Sequence, residues 1–196
     1  METDNNTFKM YHGGKRWSFI PTEIQPSAKN RYEAGVGIYF TNYYDTASRY
    51  SKGGRVIHLV DIDKNFTKID DVSVEVSEFV KDIKNISGLK LREKITQDII
   101  NYATKTNKTS VPLSVLNNLV VNYEVGSGQV GVKIANYFAS KGADANIEQQ
   151  GAGEYWLVVF NPKIIKKVKI VDQSKVSEPD YLISLDFLKN KYRGNK

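Results

Sequence analysis

The sequence predicts an α+β fold. Three observations carry the prediction. β-forming runs crowd both ends of the chain, apolar residues between about 74 and 141 recur at helical spacing, and glycine or proline punctuates most junctions. With 196 residues, 40% hydrophobic and 26% charged, the chain is large enough to bury a real core. It reads as one domain over residues 1–196, with a helical block at about 74–141.

Residues 7–12, TFKMYH, read as a short strand stopped by Gly13-Gly14. Pro21 and Pro26 interrupt any regular element in the loop that follows. GVGIYFTN (35–42) is a glycine-bounded run of β-formers. YYDTASRYSK (43–52) then suits a short helix capped by Gly53-Gly54. RVIHLVDID (55–63) alternates as a strand, and His58 within it reads as a core residue. Helices are expected over 74–86, 89–106, 110–123 and 129–142. In the second of these Leu91, Ile95 and Ile99 share a face that Tyr102 continues. The third has Ser110 as its N-cap and Pro112 in its first turn, and Gly142 ends the fourth. DANIEQQ (144–150), EYWLVVFNP (154–162) and KKVKIV (166–171) return to strand, and YLISLDFL (181–188) leaves a last apolar patch.

Cysteine is absent, which removes disulfides, thiolate metal sites and cysteine nucleophiles together. No His-x-x-His or Glu-x-x-His pair supports a metal site, and none is expected. The net charge is +6, with lysines spread along the chain and concentrated only at KIIKKVK (163–169) and 189–196. That spread reads as a solvated basic surface rather than a dedicated nucleic-acid groove. No apolar run approaches the ~20 residues of a membrane-spanning helix. The opening METDNNTFK has no signal-peptide pattern. A cytoplasmic protein without a membrane partner is the expectation.

The chemistry-bearing residues fall in three segments. MYHG pairs His12 with Gly13, whose bare backbone a ligand can approach closely. GIYFTNYYDTASRY ends a strand on Tyr39 and Phe40, then offers Tyr50 from a helix. GEYWLVVFNPKIIKKVKI places Glu154 at the mouth of a very apolar strand, where a carboxylate is costly unless exposed, paired or used.

In order and spacing, these three segments resemble the ADP-ribosyltransferase superfamily in its His-Tyr-Glu branch, that of diphtheria toxin and poly(ADP-ribose) polymerase. The resemblance runs from residue 8 to about 171. It implies a split β-sheet core with the helical block inserted in it, and NAD as co-substrate without a metal. It implies a catalytic triad of His12, Tyr39 and Glu154. His12 would hold a ribose hydroxyl and Gly13 the nicotinamide carboxamide. Tyr39 and Tyr50 would sandwich the nicotinamide ring, with Phe40 in the same binding set. Glu154 would hold the nicotinamide-ribose 2′-OH and oppose the charge of the oxocarbenium ion formed as nicotinamide departs.

The chain departs from the family pattern at three places. Gly14 stands where a Ser or Thr is usual, and Ala47 where a serine hydroxyl often meets the carboxamide. Ala152 stands where arginine-modifying members carry Gln or Glu. The implied activity is mono-ADP-ribosylation of a protein or nucleic-acid acceptor. An RNA 2′-phosphotransferase or nucleic-acid ADP-ribosyltransferase, and a non-catalytic binding module that keeps the fold, are the alternatives. A Lys-, Asn- and Ile-rich composition suits a bacterial or bacteriophage effector.

Overall fold

A computed structural model describes residues 6–27, 32–53, 55–151, 153–177 and 181–186. Gly54, Ala152, residues 187–188 of the apolar patch and the basic tail 189–196 therefore lie outside the described residues.

The fold is mixed α+β. Among the described residues, six strands form one antiparallel sheet: β1 (Thr7–Gly14), β2 (Ile38–Thr41), β3 (Val56–Asp63), β6 (Ala145–Gly151), β7 (Glu154–Val159) and β8 (Ile165–Ile170). Their spatial order is β6-β7-β2-β1-β3-β8. A two-stranded hairpin pairs β4 (Ser73–Glu75) with β5 (Ser110–Pro112). The helices are α1 (Tyr44–Arg49), α2 (Val76–Asn85), α3 (Arg92–Thr106), α4 (Leu113–Asn122) and α5 (Gln129–Ser140).

The sheet is nearly divided at its middle. β1 pairs with β3 along its whole length, from Thr7↔Asp63 to Gly14↔Val56. Toward β2 it keeps one register pair, Tyr11↔Thr41. Beyond that pair the two strands separate, and the gap opens toward Gly14 on β1 and Ile38 on β2.

Side-chain alternation sorts the core onto the two faces. On one face Val158 and Phe160 pack with the helical block, whose buried stripe includes Phe79, Ile83, Ile95, Ile99, Leu116 and Phe138. The same face of β1 and β3 presents Tyr11 and Ile57, which pack with Tyr44 and Ala47 of α1. The reverse face buries Met10, Phe40, Val60, Leu157 and Val159 with Phe66, Ile164 and Leu185, all from connecting segments. α1 and the helical block thus flank the sheet division.

Three expected helix starts are corrected. The helix expected from 89 begins at Arg92, because Leu91 is its N-cap with φ 53 and points away from the Ile95–Ile99 face as an exposed residue. Residues 74–75 and 110–112 are strand, and α2 and α4 begin at Val76 and Leu113. Ser110 pairs with Glu75 instead of capping a helix, and Pro112 occupies the N-cap position of α4. Likewise β2 is shorter than 35–42, because Gly35 turns the chain with φ +115 before it. α1 ends at Arg49, and its C-cap is Tyr50, three residues before Gly53.

Candidate active site

A cavity of about 760 Å³ opens at the sheet division. His12, Gly13, Tyr39, Phe40 and Tyr50 all line it, with Trp17, Thr41, Thr46 and Trp156. This volume suits a drug-sized or dinucleotide-sized ligand.

His12 is half-buried, and by alternation it faces the Phe40 side of the sheet. It reaches the cavity because β1 and β2 have parted there. Its Nδ1 lies 2.7 Å from the Tyr39 carbonyl oxygen. A carbonyl can only accept, so Nδ1 carries the proton and Nε2 is left as an acceptor. The Trp17 ring stacks on the imidazole at 4.2 Å, and Phe40 supports it from 5.6 Å. Burial, against the opposing Tyr39 hydrogen bond and with a smaller contribution from nearby His58, pushes the His12 pKa from 6.5 down to about 4. His12 is therefore neutral at physiological pH.

Gly13 is required by packing. A Cβ there would fall 1.9 Å from the Ala47 carbonyl oxygen, so α1 sits directly on this glycine. A Cβ on Gly14 would fall 2.6 Å from His12 Nε2, so the imidazole occupies the room that a serine side chain would need.

Tyr39 presents its ring rather than its hydroxyl. The hydroxyl donates to the Gly35 carbonyl at 2.6 Å and accepts from Ala34 N–H at 3.0 Å. Burial raises its pKa strongly, and Glu33, Glu148 and Tyr50 add to the rise. The ring meets Trp156 edge-on at 6.3 Å. Tyr50, at the C-cap of α1, is 45% exposed and offers a second aromatic face to the cavity. Phe40 is only 2% exposed, so its part in the wall is to back His12.

Glu154 does not itself line the cavity. Its Oε1 accepts from Thr41 Oγ1 at 3.0 Å and from Trp156 Nε1 at 2.8 Å, two groups that do line it. Thr41 Oγ1 in turn accepts from Tyr43 N–H at 3.0 Å, linking the carboxylate to the start of α1. The buried Asn42 amide bonds the Gly153 and Ile183 carbonyls and accepts from Tyr155 N–H. These bonds hold both sides of Glu154 in place. The carboxylate is half-buried and paired, which resolves the cost of placing it on this strand.

Sequence reading missed Thr41, Asn42, Trp156 and Trp17. The first two stand directly after Gly-Ile-Tyr-Phe, and polar residues closing an apolar strand were the available signal. Trp17 lies in a proline-rich loop and nothing local marks it. His58 has a partner that its mid-strand position did not suggest. It stands opposite His12 in register, accepts from Trp17 N–H at Nε2 over 3.1 Å, and stacks with the Trp17 ring at 4.6 Å. Its own Nδ1 is buried without a partner.

The departure at Ala47 from the resembled pattern acquires geometry as well. Ser48 does not replace the hydroxyl missing at Ala47, because its Oγ bonds back to the Asp45 carbonyl at 2.7 Å. Thr46 is the hydroxyl residue of α1 that lines the cavity. Among the described residues no group of three or more His, Cys, Asp or Glu side chains is arranged to hold a metal, and no helix is long and apolar enough to cross a membrane.

No known family model, curated protein or solved structure matches this chain.

Proposed function

We propose that the protein is a mono-ADP-ribosyltransferase that cleaves the nicotinamide–ribose bond of NAD and passes ADP-ribose to a protein acceptor. The observation that carries this reading is convergence. Four residues singled out by the resemblance, His12, Gly13, Tyr39 and Tyr50, come from three elements to one cavity. The Glu154 carboxylate is bonded to two further residues of its wall. The sheet division between β1 and β2 accords with the split core of that superfamily.

In this account the nicotinamide ring lies against Tyr39 and Tyr50, and the Gly13 backbone meets the carboxamide. Thr46 supplies the hydroxyl that Ala47 lacks. His12 Nε2, an acceptor by its tautomer, takes a ribose hydroxyl. Nicotinamide leaves with the electron pair of the C1′–N bond and departs neutral. Glu154 bonds the ribose 2′-OH and opposes the positive charge that develops on the sugar. The acceptor then attacks C1′ and loses its proton. The chemistry requires no metal.

The cavity is polarised in a way that suits NAD. Glu33 and Glu148 act on Tyr39, toward the end where a cationic nicotinamide ring would sit. The border of Glu154 carries Glu148, Gln149 and Gln150 rather than lysines, which favours a protein acceptor over nucleic acid. The cytoplasm, where NAD is plentiful, is the proposed site of action.

The test is transfer of a biotin-labelled ADP-ribose from NAD to proteins of a bacterial lysate. Labelling by the wild type and its loss in His12→Ala and Glu154→Ala support transfer. NAD binding with neither labelling nor nicotinamide release marks a non-catalytic module.

A further inference from the structure

The cavity has a second pole that the roles above leave unused. Lys15 and Arg16 follow β1 directly, and Arg55 directly precedes β3. Gly14 pairs with Val56, so the antiparallel register brings Lys15 and Arg55 to the same end of two adjacent strands. All three cations line the cavity, and all three are exposed.

None of them belongs to an ion pair among the described residues. The pairs that form there use Lys9, Lys141, Lys166 and Lys175. Glu23 lines the same cavity, but its carboxylate accepts from Gln25. Arg16 is near enough to His58 to disfavour its charged form. Three cations converging on one rim repel one another unless an anion lies between them. Two of them are arginines, whose planar forks match phosphate oxygens in pairs.

We infer that Lys15, Arg16 and Arg55 form a phosphate subsite that holds the diphosphate of a dinucleotide. This rests on the NAD reading for the identity of the ligand, but not for its phosphate chemistry. The subsite lies beside His12 on β1, and Tyr39 and Trp156 lie across the division. A dinucleotide would then span the cavity, with its anionic bridge at the cationic rim and its cationic ring near the carboxylates. The cations also set specificity: nicotinamide alone or a nucleoside without phosphate gains nothing from them.

Calorimetric titration with NAD, ADP-ribose and inorganic pyrophosphate tests this. It uses the wild type, the triple variant Lys15→Gln/Arg16→Gln/Arg55→Gln, and Lys167→Gln/Lys169→Gln on the exposed side of β8 as a charge control. Circular dichroism confirms that each variant is folded. The expected result is that the triple variant binds ADP-ribose at least about tenfold more weakly, with a shallower salt dependence, while the control is unchanged. Equal affinity in wild type and triple variant overturns the subsite, as does an equal loss in the control or no binding of any of the three ligands. The two readings fail separately. Pyrophosphate and ADP-ribose binding that depends on the three cations, without nicotinamide release, keeps the subsite and removes the transferase. Nicotinamide release with an unchanged KM for NAD in the triple variant keeps the transferase and removes the subsite.

Discussion

The Nδ1 atom of His12 lies 2.7 Å from the carbonyl oxygen of Tyr39, just where the β1–β2 ladder has ended after Tyr11↔Thr41. An imidazole thus bridges the gap that the backbone leaves open. The same bond fixes the tautomer and turns Nε2 into an acceptor. In an isolated His-Gly dipeptide none of this is visible. The arrangement yields a prediction about protons.

His12 titrates near 4 in the folded protein against 6.5 unperturbed. Between those values the unfolded chain binds more protons, so stability falls as pH drops through the window from 6.5 to 4, and it is fully retained above 6.5. The His58 pKa is also lowered, chiefly by burial, and contributes in the same direction. NAD affinity should stay level from neutral pH to about 5 and fall as 4 is approached. Histidine-resolved NMR checks this by showing a proton on Nδ1 of His12 and a midpoint well below 6. A midpoint near 6.5 or a proton on Nε2 contradicts it.

The two glycines should respond differently. Gly13→Ala forces a Cβ onto the Ala47 backbone, which cannot swing aside, so α1 must shift at a cost of about 1–3 kcal/mol. Gly14→Ser meets only the His12 side chain, so Tm should change little while the imidazole is displaced. Serine at position 14, usual in the superfamily that the sequence resembles, should therefore weaken NAD binding. Thermal melts beside NAD titrations separate these effects, and tighter binding by Gly14→Ser would refute the geometry.

Tyr39→Phe keeps the ring face and removes two hydrogen bonds to the Ala34–Gly35 turn. Stability should fall by about 1–3 kcal/mol through the unsatisfied turn, with the KM for NAD nearly unchanged. Tyr39→Ala should lose activity as well. A large loss of kcat in Tyr39→Phe would assign the hydroxyl a chemical role that its bonding does not leave free.

Thr41→Val and Trp156→Phe each remove one donor from Glu154 Oε1. Both residues act through the carboxylate, so kcat should drop about tenfold in each while KM moves less. A change in KM alone would mean that these residues only shape the wall.

Much of this architecture was legible in the sequence because its signals are local. The β-branched run of β3 and the helical spacing of Ile95 and Ile99 required no knowledge of distant partners. The β4–β5 hairpin was not legible. Val74 pairs with Val111 across the whole of α2 and α3, and Ser110 with Pro112 imitates a helix start. The site divides in the same way. His12, Tyr39 and Glu154 stand out in short segments. Trp17, Thr41 and His58 acquire their roles from contacts between residues distant in sequence, and the three cations of the rim from the β1–β3 register. Long-range register of this kind is what a linear reading lacks.

The most direct test of the central claim is nicotinamide release from NAD by the purified protein, measured beside Glu154→Gln. That variant keeps the size of the side chain and an oxygen for Thr41 and Trp156, and removes the charge. Release by the wild type is expected, with a rate roughly 10²–10³ lower in the variant and NAD affinity largely kept. Equal rates in the two proteins, or a wild type that neither binds NAD nor releases nicotinamide, would contradict that claim.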